Sequence, residues 1–451
     1  MYAWDSLTKH IGIIFLACMA ANLANCFFHV FMSRALGPAD YGILASLVSL
    51  FLILSVPTAT IQITVAKYTS HFKAQNNYSK INRLLFSSFT KLLLVGIAAF
   101  LIFAAASRYI ASFLQMSSSV PVVIVGTSLI LAFALPVGWG GLQGLQEFRA
   151  LGSNMVIQVS CKLILGILLV YLGWRVSGAL LAYVLSSLVA ILFAMTYLSS
   201  FFQKKKESKT SLAHLQGSVS SSSSSSLLKD APKSSPGQNS LAISPGKEIN
   251  LGEIFTYSLP VALTILCFTL LTNIDIVLVK HFFTPSQAGY YSAASLVAKV
   301  IIYLPGAIGI VMFPKTSELH TLNQDSSKIL GKSLFYAAFL CGLALAAFFL
   351  FPSLIIRLIF GKQYLFIIPL IGWFGLAMFF FALTNILFMY QLSLNRTRFV
   401  GVLIGATGLE CLLIALFHQS LTQVISILLV VGVSLFLANS FYVLRLSLRK
   451  R

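Results

Sequence analysis

Four ionisable side chains lie within long apolar stretches of this 451-residue sequence, where a charge is expensive to bury. They are Lys162, Asp275, Lys299 and Glu410. If these stretches cross a lipid bilayer, each charge costs at least ~2.5–3.5 kcal/mol. Residues in such positions bind charged ligands, carry protons or metal cations, or pair with one another. These four are therefore the first candidates for chemistry.

The composition predicts that lipid surrounds most of the chain. Hydrophobic residues make up 58% of the sequence and charged residues 9%, with a mean hydropathy of +0.91. A soluble chain is about half apolar and about a quarter charged, so a soluble protein is excluded. The net charge is +20, but the basic residues occupy short gaps between apolar stretches, and we expect no nucleic acid partner. The six cysteines show no metal-ligating spacing, so neither a metal site nor a cofactor is predicted.

Twelve stretches are long enough to cross about 30 Å of hydrocarbon as helices. Their runs are continuously apolar rather than alternating, which disfavours a membrane β-barrel. The predicted spans are 11–33, 41–65, 90–110, 120–140, 155–174, 176–199, 254–279, 288–313, 334–351, 366–394, 399–417 and 424–444.

The distribution of basic residues predicts the topology. Most of the 31 Lys and Arg residues fall in alternate gaps, together with both chain ends. Cytoplasmic gaps carry the excess of Lys and Arg in membrane proteins. We therefore expect a multi-pass protein of the cell (plasma or inner) membrane with both termini in the cytoplasm.

The chain divides into two related halves. Residues 1–200 form an N-terminal six-helix bundle and residues 252–451 a C-terminal one, joined by a Ser- and Lys-rich flexible cytoplasmic linker at residues 201–251. An offset of 248 residues aligns the apolar stretches and pairs Asn25 with Asn273 and Pro57 with Pro305. The predicted fold class is all-α, with two pseudo-symmetric, MATE-like bundles. Parallel repeats of this kind around a site at mid-membrane are typical of transporters.

Several motifs resemble those of one transporter group. After the first helix comes Arg34-Ala-Leu-Gly-Pro-Ala-Asp-Tyr-Gly42, and the fourth helix leads into Gly141-Leu-Gln-Gly-Leu-Gln-Glu-Phe148. The second half contains Asn273-Ile-Asp275, Gly289-Tyr-Tyr-Ser-Ala-Ala and Phe313-Pro-Lys315. The sequence thus resembles the polysaccharide-export branch of the multidrug/oligosaccharidyl-lipid/polysaccharide (MOP) flippase superfamily, which includes O-antigen flippases.

The resemblance implies a carrier that moves lipid-linked sugar from the inner to the outer leaflet by alternating access. Its substrate would be a polyprenyl-(pyro)phosphate-linked oligosaccharide, and its partners would be membrane lipids and polysaccharide assembly enzymes, with H⁺ or Na⁺ coupling as an option. It also implies a V-shaped pair of bundles, with a cavity lined by the first, second, seventh and eighth helices.

Two other functions stay open. The first is a multidrug or organic-cation antiporter of the same fold. The second is a membrane glycan polymerase or a scaffold. The sequence has no GxxxxGK[ST] phosphate loop, and its predicted outer gaps are short, so we do not expect an enzyme.

Lys299 is the leading candidate for a substrate contact. It falls near the middle of the eighth span, where it can meet the pyrophosphate of a lipid-linked sugar as a mobile point charge. The alternative is that it pairs with Asp275 or a backbone carbonyl and only fixes the bundle. Asp275 can hold a coupling ion or serve as a structural partner for Lys299 or Lys280. Asn273 belongs to the same motif and is assigned to the same cavity.

A polar stripe runs along the first span. Asn22, Asn25, His29 and Ser33 recur at spacings of three and four residues, so they share one helix face. That face either lines a cavity or makes hydrogen bonds to another helix.

The remaining candidates concern the substrate entrance, coupling and gating. Arg34 falls at the outer mouth, where it meets phosphate or extends to lipid headgroups. Lys162 and Glu410 occupy matched positions of the two halves, either as an ion pair in one conformation or in separate packing roles. Pro57 and Pro305 permit kinks in the second and eighth helices, which suits bending during transport.

Overall fold

In the computed structural model, which describes residues 2–219, 251–322, 324–394 and 396–448, the chain is an all-α membrane protein. No β-strand occurs within those ranges. The first half contains α1 (Tyr2–Leu54), α2 (Pro57–Ala74), α3 (Tyr78–Ala105), α4 (Ser107–Phe113), α5 (Val120–Gly144), α6 (Phe148–Leu169), a π-helical turn (Val170–Trp174) and α7 (Arg175–Val219).

The second half has more and shorter helices. It contains α8 (Leu251–Leu271), α9 (Ile274–Phe282), α10 (Pro285–Ala298), α11 (Val300–Tyr303), α12 (Gly306–Thr321), α13 (Ser327–Leu350), α14 (Pro352–Ile359), a 3₁₀ turn (Lys362–Ile367), α15 (Ile368–Ser393), α16 (Phe399–Leu416) and α17 (Leu421–Leu448).

The helices accommodate twelve crossings. In the described ranges, nine helical stretches are long and apolar enough to cross a membrane, and two of them, Ile13–Leu54 and Phe148–Gln203, have 42 and 56 residues. Each of these two is long enough for two crossings. The broken run of α10, α11 and α12 provides the twelfth crossing. α7 extends to Val219, into the predicted linker, and the rest of that linker up to residue 250 lies outside the described residues.

Gly37 separates the two crossings within α1. Its φ of 75° and ψ of 172° interrupt the helix, and a positive φ is accessible to glycine without the steric cost that a side chain brings. Pro38 follows directly and restarts the helix. The chain therefore reverses direction at this point, which leaves Arg34 and Tyr41 close to the turn.

The predicted second and eighth spans are interrupted beside their matched prolines, Pro57 and Pro305, where the sequence permits kinks. α1 ends at Leu54 and α2 begins at Pro57, while α11 ends at Tyr303 and α12 begins at Gly306, next to Pro305. Proline has no backbone N–H and its ring clashes with the preceding turn, so the helix breaks there. A further break at Lys299 separates α10 from α11.

The two halves meet through the second arm of α1 and through α10. A Cβ added to Gly42 would lie 2.8 Å from the backbone nitrogen of Gly289, and a Cβ added to Gly289 would collide with the carbonyl oxygen of Pro38. Small residues allow this close approach of backbones, as is common between membrane helices. The contact lies at one end of the helices, which we call the distal end. The opposite end, where α1 begins and α17 ends, is the proximal end.

Replacing Gly289 with alanine should loosen this contact. We expect Gly289→Ala to destabilise the protein by about 1–3 kcal/mol, because the added methyl group forces a packed backbone to move. The measurement is the thermal unfolding midpoint of the purified protein in detergent. Gly306→Ala is the matched control, since a Cβ at Gly306 would meet nothing within 4 Å. An equal effect of the two changes would contradict the proposed role of the Gly42–Gly289 contact.

Candidate functional site

Lys299 and Asn273 meet where two helices are interrupted. Asn273 lies between α8 and α9, and Lys299 lies between α10 and α11. The Lys299 Nζ donates a hydrogen bond to Asn273 Oδ1 at 3.2 Å, and Asn273 Nδ2 donates to the carbonyl oxygen of Thr269 at 2.8 Å. Lys299 is only 8% exposed. The ammonium group is thus held inside the protein by a neutral amide rather than by a bonded carboxylate.

Two buried carboxyl groups face the same lysine. Asp275 is fully buried, and its Oδ2 accepts a hydrogen bond from the Tyr291 hydroxyl at 2.8 Å. Glu410 of α16 is also fully buried. Both Glu410 oxygens and Asp275 Oδ1 have no hydrogen-bond partner among the described residues. Each carboxyl group lies within electrostatic range of Lys299. Unsatisfied oxygens at this depth are costly unless a proton or a cation occupies them.

The first half contains a second lysine–asparagine pair. Lys162 of α6 donates a hydrogen bond from Nζ to Asn25 Oδ1 at 2.5 Å. The same ammonium lies 4.4 Å from the ring centroid of Tyr183 and 5.1 Å from that of Phe28. Aromatic faces attract a cation by electrostatics, most strongly where water is excluded. In this conformation, Lys162 is therefore held by an amide and two rings within its own half.

His29 lies between the two pairs. The Tyr41 hydroxyl contacts His29 Nδ1 and the Tyr183 hydroxyl contacts His29 Nε2, each at 3.5 Å. His29 is also within electrostatic range of Lys162 and Lys299. The two polar clusters are consequently adjacent across the interface between the halves. We refer to them together as the interior polar belt: Asn25, His29, Lys162, Asn273, Asp275, Lys299 and Glu410.

The predicted stripe on the first span becomes more buried toward the distal end. Asn22 is exposed and Asn25 is half-buried, whereas His29 and Ser33 are buried. On the second half, Tyr303 of α11 is 72% exposed, while Lys299, four residues earlier, is buried. The halves therefore pack tightly on the distal side of the belt. On its proximal side, Asn22 and Tyr303 are accessible.

Side chains from each half close the distal end. Arg34 donates hydrogen bonds to the carbonyl oxygens of Leu358 and Ile359, the latter at 2.8 Å. The Tyr364 hydroxyl donates to the Ser33 carbonyl oxygen at 2.9 Å. Arg34 thus contacts protein carbonyls, which differs from both the phosphate contact and the headgroup contact considered from the sequence.

A second set of contacts closes the same end around His281. The His281 ring stacks on Phe113 with centroids 4.0 Å apart, and its Nδ1 lies 2.6 Å from the Phe113 carbonyl oxygen. Gln115 Nε2 donates to the His281 carbonyl oxygen at 2.5 Å. The last helical turn of α9 is therefore fixed against the loop after α4.

Lys280 directly follows the predicted seventh span at 254–279, in a gap that was expected to reach water, and the structure places it differently. Its side chain is fully buried, and its Nζ has no hydrogen-bond partner among the described residues. The cause is its position in the last turn of α9, a short helix whose neighbouring residues Ile276 and Val279 are also buried. No hydrogen bond or ion pair joins it to Asp275.

Lys162 and Glu410 form no ion pair in this structure, since Lys162 bonds to Asn25 and Glu410 faces Lys299. The aromatic partners Tyr183 and Tyr291 were not singled out in the sequence. Tyr291 belongs to the Gly289-Tyr-Tyr motif, whose second tyrosine could have been flagged as a partner for a buried acid. Nothing in the sequence around Tyr183 marks it as a lysine contact.

Comparisons with known proteins agree with this architecture. A polysaccharide biosynthesis protein family matches residues 7–225, and a second family with the same description matches residues 243–369. A multidrug resistance MATE family transporter of the MOP superfamily, solved inward-facing, superposes with a TM-score of 0.71 at 14% identity over 95% of each chain. The chain belongs to the MOP flippase superfamily. It shares the fold of that inward-facing transporter over almost its whole length.

Two further proteins are similar to this chain. The lipid II flippase MurJ, in its inward closed conformation, superposes with a TM-score of 0.64 at 12% identity over 95% of this chain and 87% of that one. An uncharacterized membrane protein of Methanocaldococcus jannaschii is 24% identical over 219 residues, which cover 48% of this chain and 46% of that protein. The chain thus matches about half the length of this curated relative.

Proposed function

We propose that this MOP-superfamily protein is a flippase that translocates lipid-linked oligosaccharide from the inner to the outer leaflet for surface polysaccharide biosynthesis. The substrate is a polyprenyl-(pyro)phosphate-linked sugar. The protein resides in the cell membrane with both termini in the cytoplasm, so that its proximal end faces the cytoplasm.

The observation that carries this proposal is the charge of the interior. In the described part of the chain, the interior polar belt contains two buried lysines, Lys162 and Lys299, and each is bonded to an asparagine amide rather than to a carboxylate. An ammonium group whose hydrogen-bond partner is neutral can accept an anionic pyrophosphate head. The head consists of phosphate and sugar, whose phosphate and hydroxyl oxygens accept hydrogen bonds. Lysine ammonium groups and asparagine side-chain amides donate such bonds.

The substrate head enters from the proximal side. There it meets Asn22 and Asn25 first, then Lys299 and Asn273, while the prenyl tail stays in lipid between the bundles. Lys299 exchanges its neutral asparagine partner for phosphate, which adds a charge-assisted hydrogen bond. The head stops at the depth of His29, where the polar stripe of the first span becomes buried.

Release requires the distal contacts to open. Arg34 must leave the Leu358 and Ile359 carbonyl oxygens, and the proximal halves of the cavity helices must approach one another. Pro57 and Pro305 stand at breaks in those helices, in matched positions of the two halves. Bending at a break costs little because the backbone hydrogen bonds are already interrupted there. These two positions serve as hinges for the change.

Ion coupling resides in the carboxyl groups beside Lys299. Asp275 Oδ1 and both oxygens of Glu410 have no hydrogen-bond partner in the described part of the chain, so an H⁺ or Na⁺ that binds them removes a desolvation cost. A cation bound there also changes the net charge around Lys299 and therefore the affinity of Lys299 for phosphate. Lys162, in the position matched to Glu410, supplies a fixed positive charge in the other half.

A multidrug or organic-cation antiporter is the second candidate. The aromatic faces of Phe28 and Tyr183, together with the buried acids, are groups that bind organic cations. Lys162 already occupies those faces at 5.1 and 4.4 Å, and it repels a second cation. This is why the lipid-linked sugar is preferred. Dye efflux from proteoliposomes without translocation of lipid-linked sugar would reverse the preference.

Removing Lys299 should slow translocation strongly. We expect Lys299→Ala to lower the rate of lipid-linked oligosaccharide flipping in proteoliposomes by at least about tenfold, because a charge-assisted contact is worth about 1.5–3 kcal/mol. Lys328→Ala, at the proximal end of α13, is the control. Membrane insertion and the elution volume of both variants should match those of the unmodified protein. Flipping at the full rate by Lys299→Ala would remove Lys299 from the mechanism.

Neutralising the two acids should uncouple transport. We expect Asp275→Asn and Glu410→Gln each to abolish the acceleration of flipping by an imposed H⁺ or Na⁺ gradient, since the amide binds neither ion by charge. Initial rates with and without the gradient are the measurement. Glu147→Gln is the control, because Glu147 accepts a hydrogen bond from Tyr197 at 2.9 Å, away from the belt. A gradient response that survives in both variants would place coupling elsewhere.

A further inference from the structure

A narrow apolar slot opens on the outer side of the first half, away from the interface between the halves. It lies between α3, α5 and α7 and has a volume of about 410 Å³, within the few hundred Å³ that are usual for ligand sites. Its lining consists of Asn82, Leu85, Phe86, Phe89, Val137, Gly138, Met195, Leu198, Ser199, Phe202 and Gln203.

The polar and apolar residues of the slot are segregated along its length. Asn82 begins the lining on α3 and Phe89 ends it, seven residues or about 10 Å farther along the helix. Gln203 and Asn82 lie at the proximal end, whereas Phe89 and Val137 lie deeper. The slot therefore has a polar mouth and an apolar interior, aligned with the helix axes. A lipid chain with a polar head has the same polarity pattern.

Burial shows where the slot opens. Its floor is buried and is formed by Leu85, Val137 and Leu198. Its rim is exposed, with Phe86 74% exposed beside exposed Asn82 and Ser199. Other residues of α3, such as Ile102, are similarly exposed and apolar, which is typical of a lipid-facing helix. The slot thus communicates with the bilayer.

Glycine at position 138 allows the floor to form. A Cβ on Gly138 would lie 2.8 Å from the Cβ of Ala194, so α5 and α7 touch there. A Cβ added to Gly141 would lie 3.1 Å from the Leu85 side chain and 3.4 Å from the Leu198 side chain. These contacts close the slot toward the centre of the bundle and separate it from the interior polar belt.

One basic side chain lies next to the mouth. Arg83 follows Asn82 and precedes Phe86 by one helical turn, and it is exposed. Lys80, one turn earlier on α3, instead lies over the Phe72 ring of α2, with its Nζ 5.9 Å from the ring centroid. The carboxylate of Glu147 accepts a hydrogen bond from Tyr197. Lys and Arg residues next to membrane helices attract anionic lipid headgroups.

We propose that the slot binds an anionic phospholipid, with one acyl chain against Phe89 and Val137 and the phosphate headgroup at Asn82 and Arg83. The bound molecule is not cargo, because every lining residue belongs to the first half and none belongs to the interior polar belt. Its function is to fill the gap between three helices and to stabilise the bundle in which they pack.

The test is native mass spectrometry of the purified full-length protein in detergent. Phosphatidylglycerol and phosphatidylcholine with identical chains are titrated separately. We expect the unmodified protein to retain phosphatidylglycerol about fivefold more tightly, the contribution of roughly one basic residue at an anionic lipid surface. Ser199→Trp blocks the rim and Val137→Phe fills the interior, and both should lose retention of either lipid.

Arg83→Gln should bind both lipids equally, because the slot remains and the charge is lost. Lys328→Gln is the control, since Lys328 is an exposed basic residue of the second half that lies outside the slot, and it should behave as the unmodified protein does. Val137 is buried, and Val137→Phe can fail to fold. Ser199 is exposed, so Ser199→Trp should fold and still tests the slot.

Unchanged phosphatidylglycerol retention in Ser199→Trp, or an unchanged preference in Arg83→Gln, would overturn the proposal. A third titration uses polyprenyl phosphate. If Ser199→Trp weakens the binding of polyprenyl phosphate more than that of phosphatidylglycerol, the slot belongs to the transported lipid class and the phospholipid assignment is wrong. None of these measurements depends on flipping, so their failure is distinguishable from failure of the proposed function.

Discussion

Charge buried at the middle of a lipid bilayer has to be compensated by the protein, and this constraint organises the interface between the two halves. An uncompensated lysine at that depth costs several kcal/mol. Lys162 and Lys299 are each compensated by an asparagine amide rather than by a bonded carboxylate. The helices break at Asn273 and Lys299, so side chains and backbone groups can meet there. A neutral partner holds an ammonium group less firmly than an acid does, which leaves it able to accept an anion.

The two halves keep the same framework but differ in charge. Asn25 and Asn273 are matched by the internal repeat, and each accepts a hydrogen bond from a lysine. These lysines come from different helices, because the position of Lys162 is occupied by Glu410 in the second half. The first half is therefore positive at its core, while the second combines one lysine with two acids beside it. We infer that the substrate phosphate and the coupling ion both bind beside Lys299 in the second half, while Lys162 supplies a fixed positive charge from the first.

Much of the fold could be predicted from the sequence because the apolar stretches are long. The all-α membrane class, the superfamily and the matched prolines all follow from length, period and motif order. The prolines marked the breaks at Pro57 and Pro305, but the break at Lys299 could not be located, since a continuous apolar run does not show where a helix is interrupted. The burial of Lys280 was also missed, because the rule for basic residues in gaps assumes that they reach water.

The candidate site was less predictable than the fold. Lys299 and Asp275 stood out because charge is rare in apolar spans. Their immediate partners depend on how helices distant in sequence pack, and no spacing rule joins Lys162 to Tyr183. Arg34 is a similar case: its position at a helix end suggested lipid or phosphate, whereas the carbonyl oxygens that it contacts come from residues more than 300 positions later in the chain.

The central claim is that the closed distal interface must open during each transport cycle. Cysteines introduced at Gln115 and His281 in a cysteine-free background place two thiols across this interface, where the Gln115 side chain contacts the His281 backbone at 2.5 Å. Flipping of lipid-linked oligosaccharide is then measured before cross-linking, after it, and after reduction. The account predicts that the cross-link stops flipping and that reduction restores it, while Gln115→Cys alone is unaffected by the oxidant. Undiminished flipping by fully cross-linked protein would contradict it.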